Sequence, residues 1–203
     1  PDGERKSDTD CGKIAMWAYC QSRVLDYVLE NENIDKAHVA AAGHSRLGKT
    51  SLFAAAIDER FECAYSNNSG CTGAAITRGK CGEHVKDITE LAAQWFCKKY
   101  YKYANDEDNM PFDQHFLAAA IAPRRLYIAS AEEDDWADPL SEYLTCFAVS
   151  DIYKYYGKEG FVGENREPRA GDVFHGGNIG YHMRTGVHFC SRYDWNRFLD
   201  FFL

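Results

Sequence analysis

Apolar positions along the chain recur at two periods. Over residues 13–29, Ile14, Trp17, Ala18, Val24, Leu25 and Val28 fall at helical spacing and can share one face, which predicts a helix. A polar break at 31–36 separates it from the short apolar run 38–43, which has the length of a buried strand. An Ala-rich helix follows at 47–57 and a second short strand at 61–65. Residues 67–83 hold four glycines and many polar side chains and read as a loop. Beyond it the pattern predicts a helix over 90–103, an acidic loop at 105–109 and a helix over 112–121 that closes at Pro123. The clearest strand is 126–130, followed by an acidic loop (132–138), a long helix (140–156) and a loop rich in Gly, Glu and Arg (157–171). A last strand at 179–182 and a helix over 192–202 end the chain. Strands alternating with helices predict parallel βαβ units and an α/β fold.

Composition narrows the class. A chain of 203 residues, 45% hydrophobic and 27% charged, fits one folded domain, here taken as 1–203. No apolar run is long enough to span a membrane, and residues 1–13 hold no apolar signal-peptide core. A net charge of −8 argues against a broad nucleic-acid-binding face but leaves room for a local basic pocket. The eight cysteines (11, 20, 63, 71, 81, 97, 146 and 190) form no CxxC pair and no cysteine–histidine zinc spacing, so no metal or other cofactor is expected. Cys63 and Cys146 read as buried thiols, and Cys71 with Cys81 as a pair able to close a loop, with no pairing fixed.

The candidate chemistry starts in VAAAGHSRLGKT, residues 39–50. A buried strand runs into Gly43, Ser45 sits in the turn and a helix begins, as in a nucleophile elbow. Such a turn needs small neighbours and aims helix N-terminal amides at developing negative charge. Its usual glycine two residues after the serine is Leu47 here, and Gly48 comes one later. The same residues spell a phosphate loop, Gly43 followed after four residues by Gly48-Lys49-Thr50, although no strand ends in an evident Mg²⁺-binding aspartate. Ser45 as a plain helix N-cap is the third reading. The local motif leaves esterase and phosphate loop level.

A nucleophilic serine needs a histidine, and the histidine an orienting acid. In the chain order Ser…Asp/Glu…His, His188 lies where the base belongs, between the last strand and the last helix, with His182 and His175 behind it. The acid is expected in 131–139, AEEDDWADP, where five carboxylates follow a strand. One should face the histidine, while Asp138 before Pro139 caps the next helix.

These residues resemble the glucuronoyl esterases of carbohydrate esterase family 15, in its bacterial branch. The resemblance rests on GHSRLGK (43–49), NMPFDQH (109–115) with APR (122–124), ASAEEDDWADP (129–139) and YHMRTGVH (181–188), and runs from residue 13 to the end. It assigns GKT to an esterase elbow and implies an α/β-hydrolase fold. It also implies a Ser-His-Asp triad and an acyl-enzyme, acting on 4-O-methyl-glucuronate esters that join glucuronoxylan to lignin alcohols. Ser45 would be the nucleophile, His188 the base and Arg46 an oxyanion group; Lys49 would bind sugar hydroxyls and Trp136 would pack on the sugar. Many members carry the acid as a glutamate where Asn68 stands here, so Asp134 is favoured, with Glu133 and Glu132 behind it. Where His44 stands, fungal members have a cysteine, so their disulfides are not assumed. Arg46, Lys49, Arg78 and Lys80 supply local cations, and Arg78 with Lys80 sits in a loop able to lie over the site. Alternatives on the same fold are an acetyl xylan or general carboxylesterase, and a non-catalytic carbohydrate-binding relic. A monomer is expected, with nothing in the sequence to fix it.

Only 44 residues precede Ser45, whereas this fold builds several strands before its nucleophile. The chain is therefore expected to be the C-terminal part of a larger hydrolase domain, with an exposed apolar sheet edge. The cysteine count tilts the expected location towards a secreted or periplasmic one.

Overall fold

The computed structural model describes residues 5–203. Helix α1 (Lys13–Glu30) leads to strand β1 (Ala40–His44), helix α2 (Arg46–Ile57) and strand β2 (Cys63–Asn67). A long irregular segment follows, then α3 (Val85–Leu91), three short 3-10 turns and α4 (Gln114–Ala119). Strand β3 (Arg125–Ala131), helix α5 (Pro139–Tyr155), strands β4 (Val173–Phe174) and β5 (Ile179–Arg184), and helix α6 (Arg192–Phe202) complete the chain. The sheet order is β1-β2-β3-β5-β4, with β1, β2, β3 and β5 parallel and β4 antiparallel to β5. This is the expected α/β architecture.

Alternate residues of the strands feed two cores. Ala41, Ala64, Leu126, Ile128, Ile179 and Tyr181 pack with residues of α1, α2, α4 and α5. Cys63, Tyr65, Tyr127 and Ala129 face the other way, onto Phe198 and Phe202 of α6. The period-2 alternation thus produces three layers. Strand β1 ends the sheet order, and beside it lies an apolar groove of about 480 Å³ lined by Trp17, Val24, Val39, Leu47 and Phe61 among others. Val24, grouped with the buried face by periodicity, is 62% exposed at this groove.

Three expectations are corrected. The helix over 90–103 is instead α3, starting earlier, and two 3-10 turns (Ala93–Trp95 and Lys98–Tyr103). Aromatic side chains in that stretch pack around Cys71, Val85 and Ile88, a small core that a continuous helix would not reach. The polar segment 67–83 is no solvated lid, since Asn67, Asn68, Ser69, Thr72, Thr77, Lys80 and Glu83 are all buried. Two buried carboxylates make this tolerable. Glu142 of α5 accepts from the amides of Ser69 (2.7 Å) and Gly70 (2.9 Å), and Asp113 from those of Thr77 (2.7 Å) and Arg78 (3.2 Å). Finally, all eight cysteines are free, including buried Cys71 and exposed Cys81. Asp138 does cap α5, accepting from the amide of Ser141 with Pro139 at the first helical position. No described helix is long and apolar enough to cross a membrane.

Candidate active site

Strand β1 enters the site through Gly43, where a Cβ would lie 2.0 Å from the carbonyl oxygen of Leu47, so only glycine fits. Ser45 then adopts φ 58°, ψ −127°, a left-handed conformation that costs a non-glycine residue roughly 1–3 kcal/mol and marks a strained turn. The Ser45 amide is tied to the Asn67 carbonyl at 2.8 Å, which extends the β1–β2 pairing into the turn. The Ser45 carbonyl accepts from the amides of Gly48 and Lys49, so the Arg46 amide precedes the helix's own bonding and is an orphan donor beside the serine. Gly48 is where α2 touches Ser66 and Ser69, whereas Leu47 points outward at 46% exposure. That explains the one-residue displacement of the second glycine.

His188 lies in the turn after β5, and its Nδ1 is 2.6 Å from Asp134 Oδ2 in the turn after β3. The two turns are zipped together: the amide of Glu132 donates to the Arg184 carbonyl (2.9 Å) and that of Glu133 to the Gly186 carbonyl (3.1 Å). Of the candidate acids, Asp134 is 5% exposed, while Glu132 and Glu133 are exposed. Asn68, after β2, donates to the same Asp134 oxygen at 2.7 Å. Burial pushes the Asp134 carboxyl up, but the hydrogen bonds from His188 and Asn68 outweigh it and leave it below the usual value. The Asp134 hydrogen bond raises His188, with burial opposing. An ionised carboxylate on Nδ1 leaves Nε2 as the nitrogen able to take a proton. The His188 ring lies against that of His44, the residue before Ser45, with centroids 4.6 Å apart.

The other expected residues each have contacts of their own. Arg46 is exposed, its guanidinium 6.0 Å from the Trp95 ring. Lys49 is 4% exposed, and its ammonium donates to the Ser69 (2.5 Å) and Cys71 carbonyls and lies 3.7 Å from Glu83. It braces the 69–71 segment, a use of the lysine that fits neither a phosphate cradle nor an open sugar cation. Trp136 is 56% exposed, and its indole N–H donates to Glu83 at 3.1 Å. Arg78 donates to the Met110 and Asp108 carbonyls and lies 3.6 Å from Asp113. Lys80 is 6% exposed rather than displayed on a lid. His182 is fully buried between the Tyr127 hydroxyl (2.9 Å) and Asp194 (3.0 Å), and His175 shares that hydroxyl, so both serve the core.

Sequence reasoning missed the supports. Arg184 donates to the carbonyls of Thr185, Val187 and Phe189 and stacks on the Phe189 ring, so it pins the turn carrying His188. Asp194 in turn fixes Arg184 at 3.0 Å and completes the Ser191 capping box of α6. Only the Ser-x-x-Asp spacing at 191–194 signalled any of this.

The family model described as glucuronyl esterase, fungi, matches residues 5–157. A carbohydrate esterase, MZ0003, from an unknown prokaryotic organism is 43% identical over 190 residues, covering 94% of this chain and 44% of its own length. A 4-O-methyl-glucuronoyl methylesterase of Wolfiporia cocos is 32% identical over 161 residues, covering 74% of this chain and 39% of its own. Among solved structures, a promiscuous CE15 esterase from a marine bacterial metagenome superposes with a TM-score of 0.90 at 43% identity, over 94% of this chain and 47% of that one. The chain thus spans less than half the length of these relatives.

Proposed function

This chain belongs to the glucuronoyl esterase family, and from that premise we propose that it carries the catalytic half of a serine esterase acting on 4-O-methyl-glucuronate esters. The observation that carries the reading is the 2.6 Å bond between Asp134 and a His188 ring lying against the residue next to strained Ser45. Ser45 Oγ attacks the ester carbonyl as its proton passes to His188 Nε2. The oxyanion meets the Arg46 amide and guanidinium at the start of α2. Collapse returns the proton to the leaving alcohol and leaves glucuronate esterified to Ser45. Water, deprotonated by His188, then releases the acid and frees the serine. Asp134 stabilises the imidazolium in both halves. The exposed face of Trp136 takes the sugar, oriented through Glu83 and Lys49.

In this reading the ester joins a lignin alcohol to the glucuronate carried by glucuronoxylan, and the enzyme works outside the cytoplasm, where that polymer lies. Additional strands pair against the free edge of β1, which the relatives' greater length supports. The test is hydrolysis of benzyl glucuronate by Ser45→Ala in the full-length protein, expected to fall to background; undiminished turnover would sink the proposal. A broader ester range is the second reading, favoured by the relative described as promiscuous. Comparable rates on acetyl and glucuronate esters would establish it.

A further inference from the structure

We propose that His44 is a positioning residue for the esterase, holding the general base His188 in line with Ser45 as a neutral imidazole of fixed orientation. This rests on the triad reading above and adds to it a residue whose ring lies tilted against that of the base.

The orientation of His44 follows from a chain of hydrogen bonds with one consistent direction. Asp194 is a fully buried carboxylate and accepts only. Its Oδ1 lies 3.0 Å from Asn67 Nδ2, so the amide nitrogen of Asn67 must point to it. The amide oxygen then points the other way, to His44 Nδ1 at 2.7 Å. An oxygen acceptor there requires a proton on His44 Nδ1, and in the neutral ring the lone pair then sits on Nε2. Asp194 is anchored independently by Ser191, Arg184 and His182, so it does not swing with the site. Burial lowers the pKa of His44, the Asn67 bond opposing, and the neighbouring His188 lowers it further.

Two consequences reach the chemistry. The ring of His44 lies 4.6 Å from that of His188, tilted by 43°, and closes one face of the base. The opposite constraint is the in-plane bond from Asp134 to Nδ1. A hydrogen bond alone leaves a ring free to pivot about it; a second ring against its face removes that freedom. A neutral neighbour also avoids placing a second cation against the imidazolium that forms when Ser45 is deprotonated. Misplacement of a reacting group by about an ångström is enough for rate losses on the order of 10²-fold, and a partial pivot costs less.

The test compares His44→Ala, His44→Gln and His44→Phe in the full-length enzyme on benzyl glucuronate, with Ser45→Ala as the control for the triad reading. Gln keeps a donor for Asn67 but has no ring; Phe keeps the ring but has no donor. The expected result is a fall in kcat of about tenfold for Ala and Gln, with KM within about twofold, and recovery to within about threefold of wild type for Phe. Thermal melts accompany each variant, and His44→Gln carries the test if His44→Ala does not fold. A Gln variant with wild-type kcat would show that His44 only satisfies Asn67 and would overturn the proposal. So would a loss confined to KM. If Ser45→Ala remains active, the triad reading itself has failed; if Ser45→Ala is dead and His44→Gln is unimpaired, only the positioning role has.

Discussion

Asp134 and His188 are opposite halves of one bond, and pH acts on them with opposite sign. The bond raises His188 above its ordinary 6.5, and its share of stability is present below that value and lost as pH rises through the folded one. Asp134 is lowered from 3.8, so its share is present above 3.8 and lost as pH falls through its folded value. In the proposed mechanism His188 must be neutral to act as base, so kcat/KM should rise with pH through a midpoint above 6.5. Asp134→Asn should lower kcat by roughly 10⁴-fold and move that midpoint downward, because burial then acts on His188 without its counter-ion. A pH–rate profile of wild type and variant checks both. The choice of Asp134 over Glu132 and Glu133 was a preference in the sequence, because three adjacent carboxylates have no visible facing. The turn after β3 buries Asp134 and exposes the other two, which supports that preference.

Helix α2 and strand β1 meet at two glycines, and the contacts there rank their importance. At Gly43 a Cβ would strike a backbone carbonyl of α2 at 2.0 Å, which no rotamer change relieves. At Gly48 it would meet Ser69 Cβ at 2.9 Å, Ser66 Oγ at 3.1 Å and the Gly43 carbonyl at 3.2 Å, all much longer contacts that smaller shifts relieve. Gly43→Ala should therefore cost about 3 kcal/mol, at the upper end for overpacking, and abolish turnover, whereas Gly48→Ala should cost about 1 kcal/mol. Urea melts with esterase assays check the ranking. The elbow was legible because strand, turn and helix each have a local signature. The 67–83 segment was not, because its burial depends on Glu142 and Asp113, which lie far along the chain and look like surface residues. Burial pushes Glu142 up to about 7, the mark of a carboxylate that only tertiary structure could have placed there. Strand β4 was missed as well, since two residues carry no period.

At the scale of the molecule, burial lowers His44, His175 and His182, against His188 alone raised. A histidine with a lowered folded pKa gives stability that is present above 6.5 and lost as pH falls towards the folded value. Glu142, raised by burial to about 7, opposes them over the same range, because the folded state takes up its proton first as pH falls. The histidine share of the melting temperature should decline from pH 7.5 to pH 5.5, and His188→Gln, which removes one of the two opposing groups, should give a steeper profile than wild type. The layered fold was readable from alternation, and the groove beside β1 follows from the same alternation at the strand that ends the sheet order among the described residues. Every group of the site leaves the sheet at one end: Ser45 after β1, Asn68 after β2, Asp134 after β3 and His188 after β5. Strands β2 and β3 are adjacent and parallel, with Asn67 opposite Ala129, so Asn68 after one reaches the Asp134 oxygen that holds His188 after the other. The family resemblance puts a glutamate where Asn68 stands, and here the amide at that place grips the aspartate of the next strand. The charge on Asp134 is therefore not held by one turn alone: a neutral amide from the neighbouring strand shares the work of keeping it ionised and in place.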